Sequence, residues 1–155
     1  MLGLNWLPRG GNGERNMKAT IKWVDGVSFV GESESGHAVI IDGPPSAGGR
    51  NIGIRPMELV LIGMGACTAF DVVSILVKGR HAVVDCQAEL TAERATHDPK
   101  VFTQIHVHFK VWGRGLKLAA VERALALSTE KYCSASIMLG KTATITHDYE
   151  LIEAV

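Results

Sequence analysis

The chain has 155 residues, 46% of them hydrophobic and 21% charged, with 16 basic side chains against 16 acidic ones. That length fits one domain, and the apolar content with zero net charge excludes a disordered chain. The charge balance argues against nucleic acid as a main partner, because phosphate binding needs a clustered surplus of Lys and Arg. Three cysteines do not make a disulfide scaffold, and the odd count leaves one thiol over. Such usage suits a reducing compartment, so the expected location is cytoplasmic.

Residues 1–16, MLGLNWLPRGGNGERN, are rich in Gly and Asn and have no lasting periodicity. They read as a disordered N-terminal extension, followed by a single domain over 17–155. The rival is an ordered arm with Trp6 docked on a partner. No basic segment precedes the short apolar stretch, so a secretory signal is not expected. Met17 to Val24 alternates, and Asp25-Gly26 is a strong hairpin signal leading to a return strand over Val27 to Gly31. Gly36 to Asp42 reads as a third strand. The stretch Gly43 to Asn51 reads as a long flexible loop of the kind that often carries function.

The segment PMELVLIGMGACTAFDVVSILVKGR, from Pro56, reads as one long helix. Pro suits the first helical position, Glu58 the first turn, Lys78 and Arg80 the end, and Gly79 the stop. Glu58 and Asp71 are the only charges from Pro56 to Val77, so the helix is apolar nearly all round. Leu59 to Phe70 is only twelve uncharged residues, short of the roughly 20 that span a bilayer. No membrane association is therefore expected, and a buried core helix is. A small domain rarely surrounds a helix on every side, so a second subunit is expected to cover it.

Val83 to Glu93 alternates, with Val84, Cys86, Ala88 and Leu90 on one face, which makes Cys86 a buried structural thiol. After a turn at 95–100, Val101 to Trp112 alternates again. Ile105, Val107, Phe109 and Val111 face one way, His106 and His108 the other. Two such histidines suit a metal, but no third or fourth ligand stands at a recognisable spacing, so they read as solvent-side residues. Leu116 to Lys131 reads as an amphipathic helix with Leu118, Val121, Leu125 and Ser128 on one side. A short apolar turn, Ile137 to Leu139, and a closing strand, Thr142 to Ile152, end the chain. Strands mostly follow one another without helical crossovers, which favours α+β over parallel α/β.

Cys67 lies mid-helix among small neighbours, Gly63, Gly65, Ala66, Thr68 and Ala69, and Cys133 follows a helix beside two serines. Neither belongs to a zinc motif or a CxxC pair, so no metal and no cofactor is expected. A lone cysteine is more often structural than catalytic, and the residues alone leave both readings open.

The order of these motifs resembles the OsmC/Ohr superfamily (osmotically inducible protein C and organic hydroperoxide resistance protein), from about Met17 to the C-terminus. The resemblance is carried by Pro56-Met57-Glu58-Leu59 opening the apolar helix, Gly65-Ala66-Cys67 within it, and Lys131-Tyr132-Cys133-Ser134. WVDGVSFVGES, PMELVL, VVDC and ITHDYE look closest to the YhfA-like branch. The resemblance implies an OsmC-like α+β fold, with antiparallel sheets wrapped around long buried central helices in an intertwined homodimer. Two active sites would lie at the subunit interface.

By the same resemblance the activity is a cysteine-based thiol peroxidase of the oxidative stress response, reducing a small organic hydroperoxide. Cys67 would be the peroxidatic thiol that becomes a sulfenic acid, and Cys133 the resolving thiol that closes a disulfide. A dithiol, such as a lipoylated protein, would reduce the pair. The family activates its thiol with an Arg held by a Glu, and the counterparts here are Arg50, with Arg55 as a second candidate, and Glu58. Met57 stands where the peroxidases carry that Glu, and Ser134 where they usually carry Pro. Glu58 is nine residues before Cys67, about 180° around an ideal helix, and Asp71, one turn after Cys67, disfavours a thiolate if it faces it. The alternatives are a dimeric binding or redox-sensing protein without efficient turnover, a Cys-based hydrolase, and a His106/His108 metal site.

Overall fold

The computed structural model describes residues 16–155. The proposed extension and the alternative docking of Trp6 fall on residues 1–15, outside the described residues. The chain forms two compact units that divide at Pro56.

The first unit is a three-stranded antiparallel meander of β1 (Ala19–Asp25), β2 (Ser28–Ser33) and β3 (Ala38–Ile41). Asp25 pairs with Ser28 across a two-residue turn of Gly26 and Val27, one residue later than the Asp25-Gly26 signal implies, and Gly26 takes φ 54°, a value that favours glycine. The loop expected to be flexible is instead organised around one buried carboxylate. Asp42, 1% exposed, accepts hydrogen bonds from Ser28 Oγ at 2.9 Å and from the N–H groups of Gly43 at 2.8 Å, Arg50 at 3.0 Å and Ile52 at 3.1 Å. The Ile52 N–H contributes most to holding its pKa near about 2, against the opposing effect of burial. Gly49 sits so close to Gly43 that a Cβ there would overlap the Gly43 carbonyl.

The second unit runs α1 (Pro56–Lys78), β4 (Val83–Arg94), β5 (Phe102–Gly113), α2 (Leu118–Leu127), a π-helical turn (Ser128–Tyr132), α3 (Ser134–Leu139) and β6 (Thr144–Glu153). Its sheet has the order β4-β5-β6. The mixed α+β class holds, with one departure. β4 and β5 are antiparallel as expected, whereas β6 runs parallel to β5. The helical segment between them carries the chain back to the start of β5, and that return is what a parallel neighbour needs.

The alternation read in β5 is met in full. Ile105, Val107, Phe109 and Val111 are each at most 2% exposed. On the opposite face the His106 Nδ1 lies 2.8 Å from Thr146 Oγ1, and His108 Nδ1 lies 2.6 Å from Asp148 Oδ1. The hydrogen bond to Asp148, with a second to Glu150, raises the His108 pKa above its ordinary value. The two rings are thus engaged in a cross-strand polar ladder. In β4 the expected inward face is corrected at its start. A register shift between Val83 and Asp85 leaves Val84 exposed and turns Val83 toward the cluster that Cys86, Ala88 and Leu90 join.

Within this chain α1 buries one stripe, Met64, Gly65, Thr68, Val72 and Leu76, at the three- and four-residue spacing of a helix face. Ile62, Phe70 and Val77 are more than half exposed, so the helix expected to be buried on every side is covered on one. Over an 18-residue window its mean hydropathy reaches 2.1, so by length and composition alone it is apolar enough to cross a membrane. Met64, Val72 and Leu76 join Phe109 and Val121 in the core cluster. The helix also stops differently than expected. Arg80, not Gly79, takes the left-handed conformation, with φ 59°. The His81 N–H reaches the Leu76 carbonyl at 3.0 Å and the Arg80 N–H the Val77 carbonyl at 2.9 Å, a Schellman closure. Gly79 is needed for space, since a Cβ there would lie 2.8 Å from the His81 ring.

The helix expected over 116–131 ends at Leu127. Val121, Leu125 and Ser128 are buried as read, while Leu118, in its first turn, is 52% exposed. The chain then widens into the π-helical turn, closed by the Cys133 N–H donating to the Ser128 carbonyl at 2.8 Å.

Candidate active site

Two elements of the second unit bring the predicted cysteines together. Cys67 is held mid-way along α1. Cys133 is the N-cap of α3, with the extended backbone (φ −71°, ψ 98°) that a cap adopts. Asp71 lies four residues after Cys67, on the same helix face. The Sγ atoms of Cys67 and Cys133 and a carboxylate oxygen of Asp71 all lie within 4.8 Å of one another. Sixty-six residues of sequence separate the two thiols, and both are free.

The π-helical turn is what makes this approach possible. Its last hydrogen bond fixes Cys133 against Ser128, and Ser128 Oγ in turn lies 3.3 Å from Asp71 Oδ2 and 3.4 Å from the Thr68 carbonyl. π-helical turns are rare and recur at functional sites.

Cys133 is fully buried. Its Sγ accepts from Ser136 Oγ at 3.1 Å and from the Ser136 N–H at 3.4 Å, and it lies 3.3 Å from Thr68 Oγ1. Burial pushes the Cys133 thiol up, but the bonds from the Ser136 hydroxyl, Thr68, the Ser136 N–H and Cys67 outweigh it and leave it below its ordinary value. Cys67 moves the other way. Burial raises it, and the hydrogen bond to Cys133 and the Asp71 charge add to that, against the Ala135 backbone bond. Burial also raises Asp71 above the usual carboxylate range, opposed by Ser128 and Lys78. The pair therefore holds its first negative charge on the buried sulfur, while the more accessible sulfur, Cys67, keeps its proton.

Each of the other predicted residues has its own surroundings. Glu58 is exposed in the first turn of α1, nine residues before Cys67 and about half a revolution away around the helix. Arg50 belongs to the first unit, where its Nη1 lies 3.7 Å from Asp25 Oδ2. Arg55 Nη2 donates to Asn51 Oδ1 at 3.2 Å. Cys86, expected to be buried, is partly buried against the core cluster, and burial with Asp85 pushes its thiol up to about 11. Thr68, Ser128 and Ser136 were not singled out from sequence. The signal for Ser136 was present, because a cap residue bonds the N–H three positions on, and Cys133-Ser134-Ala135-Ser136 has that spacing.

Comparison with known proteins identifies the family. Residues 48–148 match the OsmC-like protein family. Protein YhfA of Escherichia coli (strain K12) is 53% identical over 138 residues, 89% of this chain and 100% of that protein. A hypothetical protein from Aquifex aeolicus VF5 superposes with a TM-score of 0.79 at 26% identity, covering 90% of this chain and 98% of that one. A Legionella pneumophila structure described as an organic hydroperoxide resistance protein OsmC shares the fold, with a TM-score of 0.64 at 18% identity over 90% of this chain and 97% of that one. With a matched family spanning most of the chain and a relative matched over that relative's whole length at 53% identity, the chain belongs to the OsmC-like protein family.

Proposed function

We propose that the protein is a thiol peroxidase that reduces organic hydroperoxides through Cys67 and Cys133. The observation that carries the reading is the meeting of two free sulfurs within 4.8 Å across 66 residues. Membership of a family whose structural relatives include a protein named for organic hydroperoxide resistance supports the substrate class.

The peroxide meets the pair at Cys67, the less buried sulfur. Its proton passes to Cys133 across their hydrogen bond, leaving Cys67 as the nucleophile. The Cys67 Sγ attacks the terminal peroxide oxygen, the O–O bond breaks, and the alkoxide takes the proton from Cys133 and leaves as an alcohol, which restores the Cys133 thiolate. Cys67 is then a sulfenic acid. Cys133 Sγ attacks that sulfur, the S–S bond forms, and hydroxide leaves with a proton as water. A dithiol such as a lipoylated protein returns two electrons and two protons to regenerate the pair. The uncovered apolar face of α1 supports a homodimer in the cytoplasm, with Glu58 and Arg50 as candidates for activating Cys67.

Purified reduced protein is expected to consume cumene hydroperoxide in the presence of a dithiol. Cys67→Ser is expected to abolish this, and Cys133→Ser to leave Cys67 as a trapped or over-oxidised sulfenic acid. Equal activity in Cys67→Ser and wild type overturns the reading. The raised Cys67 thiol favours one second reading, a redox sensor: a stoichiometric dose of peroxide then forms the disulfide without turnover.

A further inference from the structure

We infer that Cys67, Asp71 and Cys133 form a binding site for a zinc-like divalent cation, held by two thiolates and one carboxylate with a fourth position left open. The inference stands whether or not the pair turns over peroxide.

Geometry is the first ground. In a tetrahedral zinc site, bond lengths of about 2.3 Å to sulfur and about 2.1 Å to oxygen put the ligand atoms roughly 3.6–3.8 Å apart. The three ligand atoms here already lie within 4.8 Å of one another. Cys67 and Asp71 project from successive turns of one helix, and Cys133 is fixed by its place as the α3 cap. Three ligands with an open fourth place is the pattern of a zinc site that keeps room for water or a substrate.

Chemistry is the second ground. Two thiolates select soft or borderline ions such as zinc over magnesium or calcium. Three acidic groups packed together in a half-buried place repel one another once ionised, and a dication removes that penalty.

The surroundings are the third ground, since ligands of metal sites are oriented by hydrogen bonds from behind. Ser128 Oγ reaches Asp71 Oδ2 at 3.3 Å. Ser136 Oγ and Thr68 Oγ1 hold Cys133 Sγ at 3.1 and 3.3 Å. Thr68 Oγ1 is itself anchored on the Met64 carbonyl at 2.9 Å.

Metal binding and disulfide formation would use the same two sulfurs. A hydroperoxide that takes two electrons from the pair, with two protons, yields the disulfide, an alcohol and water, and releases the cation. The site is then a redox-dependent metal switch, and the bound cation protects the thiols from oxidation.

The test uses full-length, reduced, metal-free protein titrated with Co²⁺ and then Zn²⁺. One Co²⁺ per chain is expected, with a thiolate-to-cobalt charge-transfer band that Zn²⁺ removes. Asp71→Asn, which keeps both thiols, is expected to weaken Zn²⁺ at least tenfold against a chelating dye. Cys67→Ser is expected to remove the band in a protein whose thermal unfolding shows it folded. Prior oxidation with diamide is expected to abolish binding in the wild type. Absence of a cobalt–thiolate band in protein that still forms the Cys67–Cys133 disulfide overturns the metal site and leaves the peroxidase reading intact. Wild-type Zn²⁺ affinity in both Asp71→Asn and Cys67→Ser overturns it as well. Failure to consume hydroperoxide, read separately, bears only on the peroxidase.

Discussion

Thr68→Val tests how the site is built. The Thr68 hydroxyl, 1% exposed, donates to the Met64 carbonyl at 2.9 Å and lies 3.3 Å from both Cys133 Sγ and Ser136 Oγ. Valine keeps the shape and removes these contacts. The Met64 carbonyl retains its place in the helix ladder, so its loss is small. The other two are long bonds, each contributing on the order of 0.5–1 kcal/mol, for a total destabilisation of about 1–2 kcal/mol. For a domain of this size that is a fall in Tm of roughly 3–7 °C. Thr68→Ser keeps the hydroxyl and loses one buried methyl, about 0.8 kcal/mol, so stability alone separates the two variants poorly. The decisive assay is the ultraviolet titration of the thiolates. The first deprotonation of the Cys67–Cys133 pair is expected to move to higher pH in Thr68→Val and to stay near wild type in Thr68→Ser. Cys86, pushed up to about 11, titrates apart from it. If both variants titrate like the wild type, the hydroxyl does not support the Cys133 charge, and the account of the site is wrong.

Phe109, fully buried at the centre of β5, is expected to cost about 3–5 kcal/mol as Phe109→Ala in urea unfolding, whereas Gln104→Ala on the exposed face stays within about 0.5 kcal/mol. Asp148→Asn is expected to bring the His108 pKa down toward its ordinary value in an NMR titration. Because that pKa is raised in the folded state, the interaction stabilises the fold fully below the ordinary histidine value and is lost as pH rises through the raised one. Asp42 has the opposite sign: its stabilisation is present above the ordinary carboxylate value of 3.8 and is lost as pH falls toward about 2. An acid titration of the wild type against Asp42→Asn should show that loss only in the wild type. Gly49→Ala is expected to disrupt the loop closed on Asp42, read as faster proteolysis between Gly43 and Asn51, because a Cβ overlaps the Gly43 carbonyl.

Much of this protein was legible from residue order alone, and the part that was not has a common cause. The β5 alternation, the Asp25-Gly26 turn and the start of α1 at Pro56 depend on neighbours two to four residues away, and periodicity reports those directly. Local departures came from small irregularities that periodicity does not carry: the β4 register shift that exposes Val84, the left-handed Arg80, and the π-helical turn where a regular helix was expected. The Asp42 anchor reads as one more strand-end acid until Gly43, Arg50 and Ile52 fold their N–H groups onto it. The cysteine pair shows the division most clearly. Each thiol was visible, yet only the family resemblance pointed to a pair, because the two stand 66 positions apart. Tertiary structure then decided what the resemblance did not: Asp71 stands with the two sulfurs, and Thr68 and Ser136 draw the negative charge to Cys133. Secondary structure follows from local sterics and polarity, whereas a thiol's charge follows from dipoles and hydroxyls within a few ångströms, and only the folded chain brings those together.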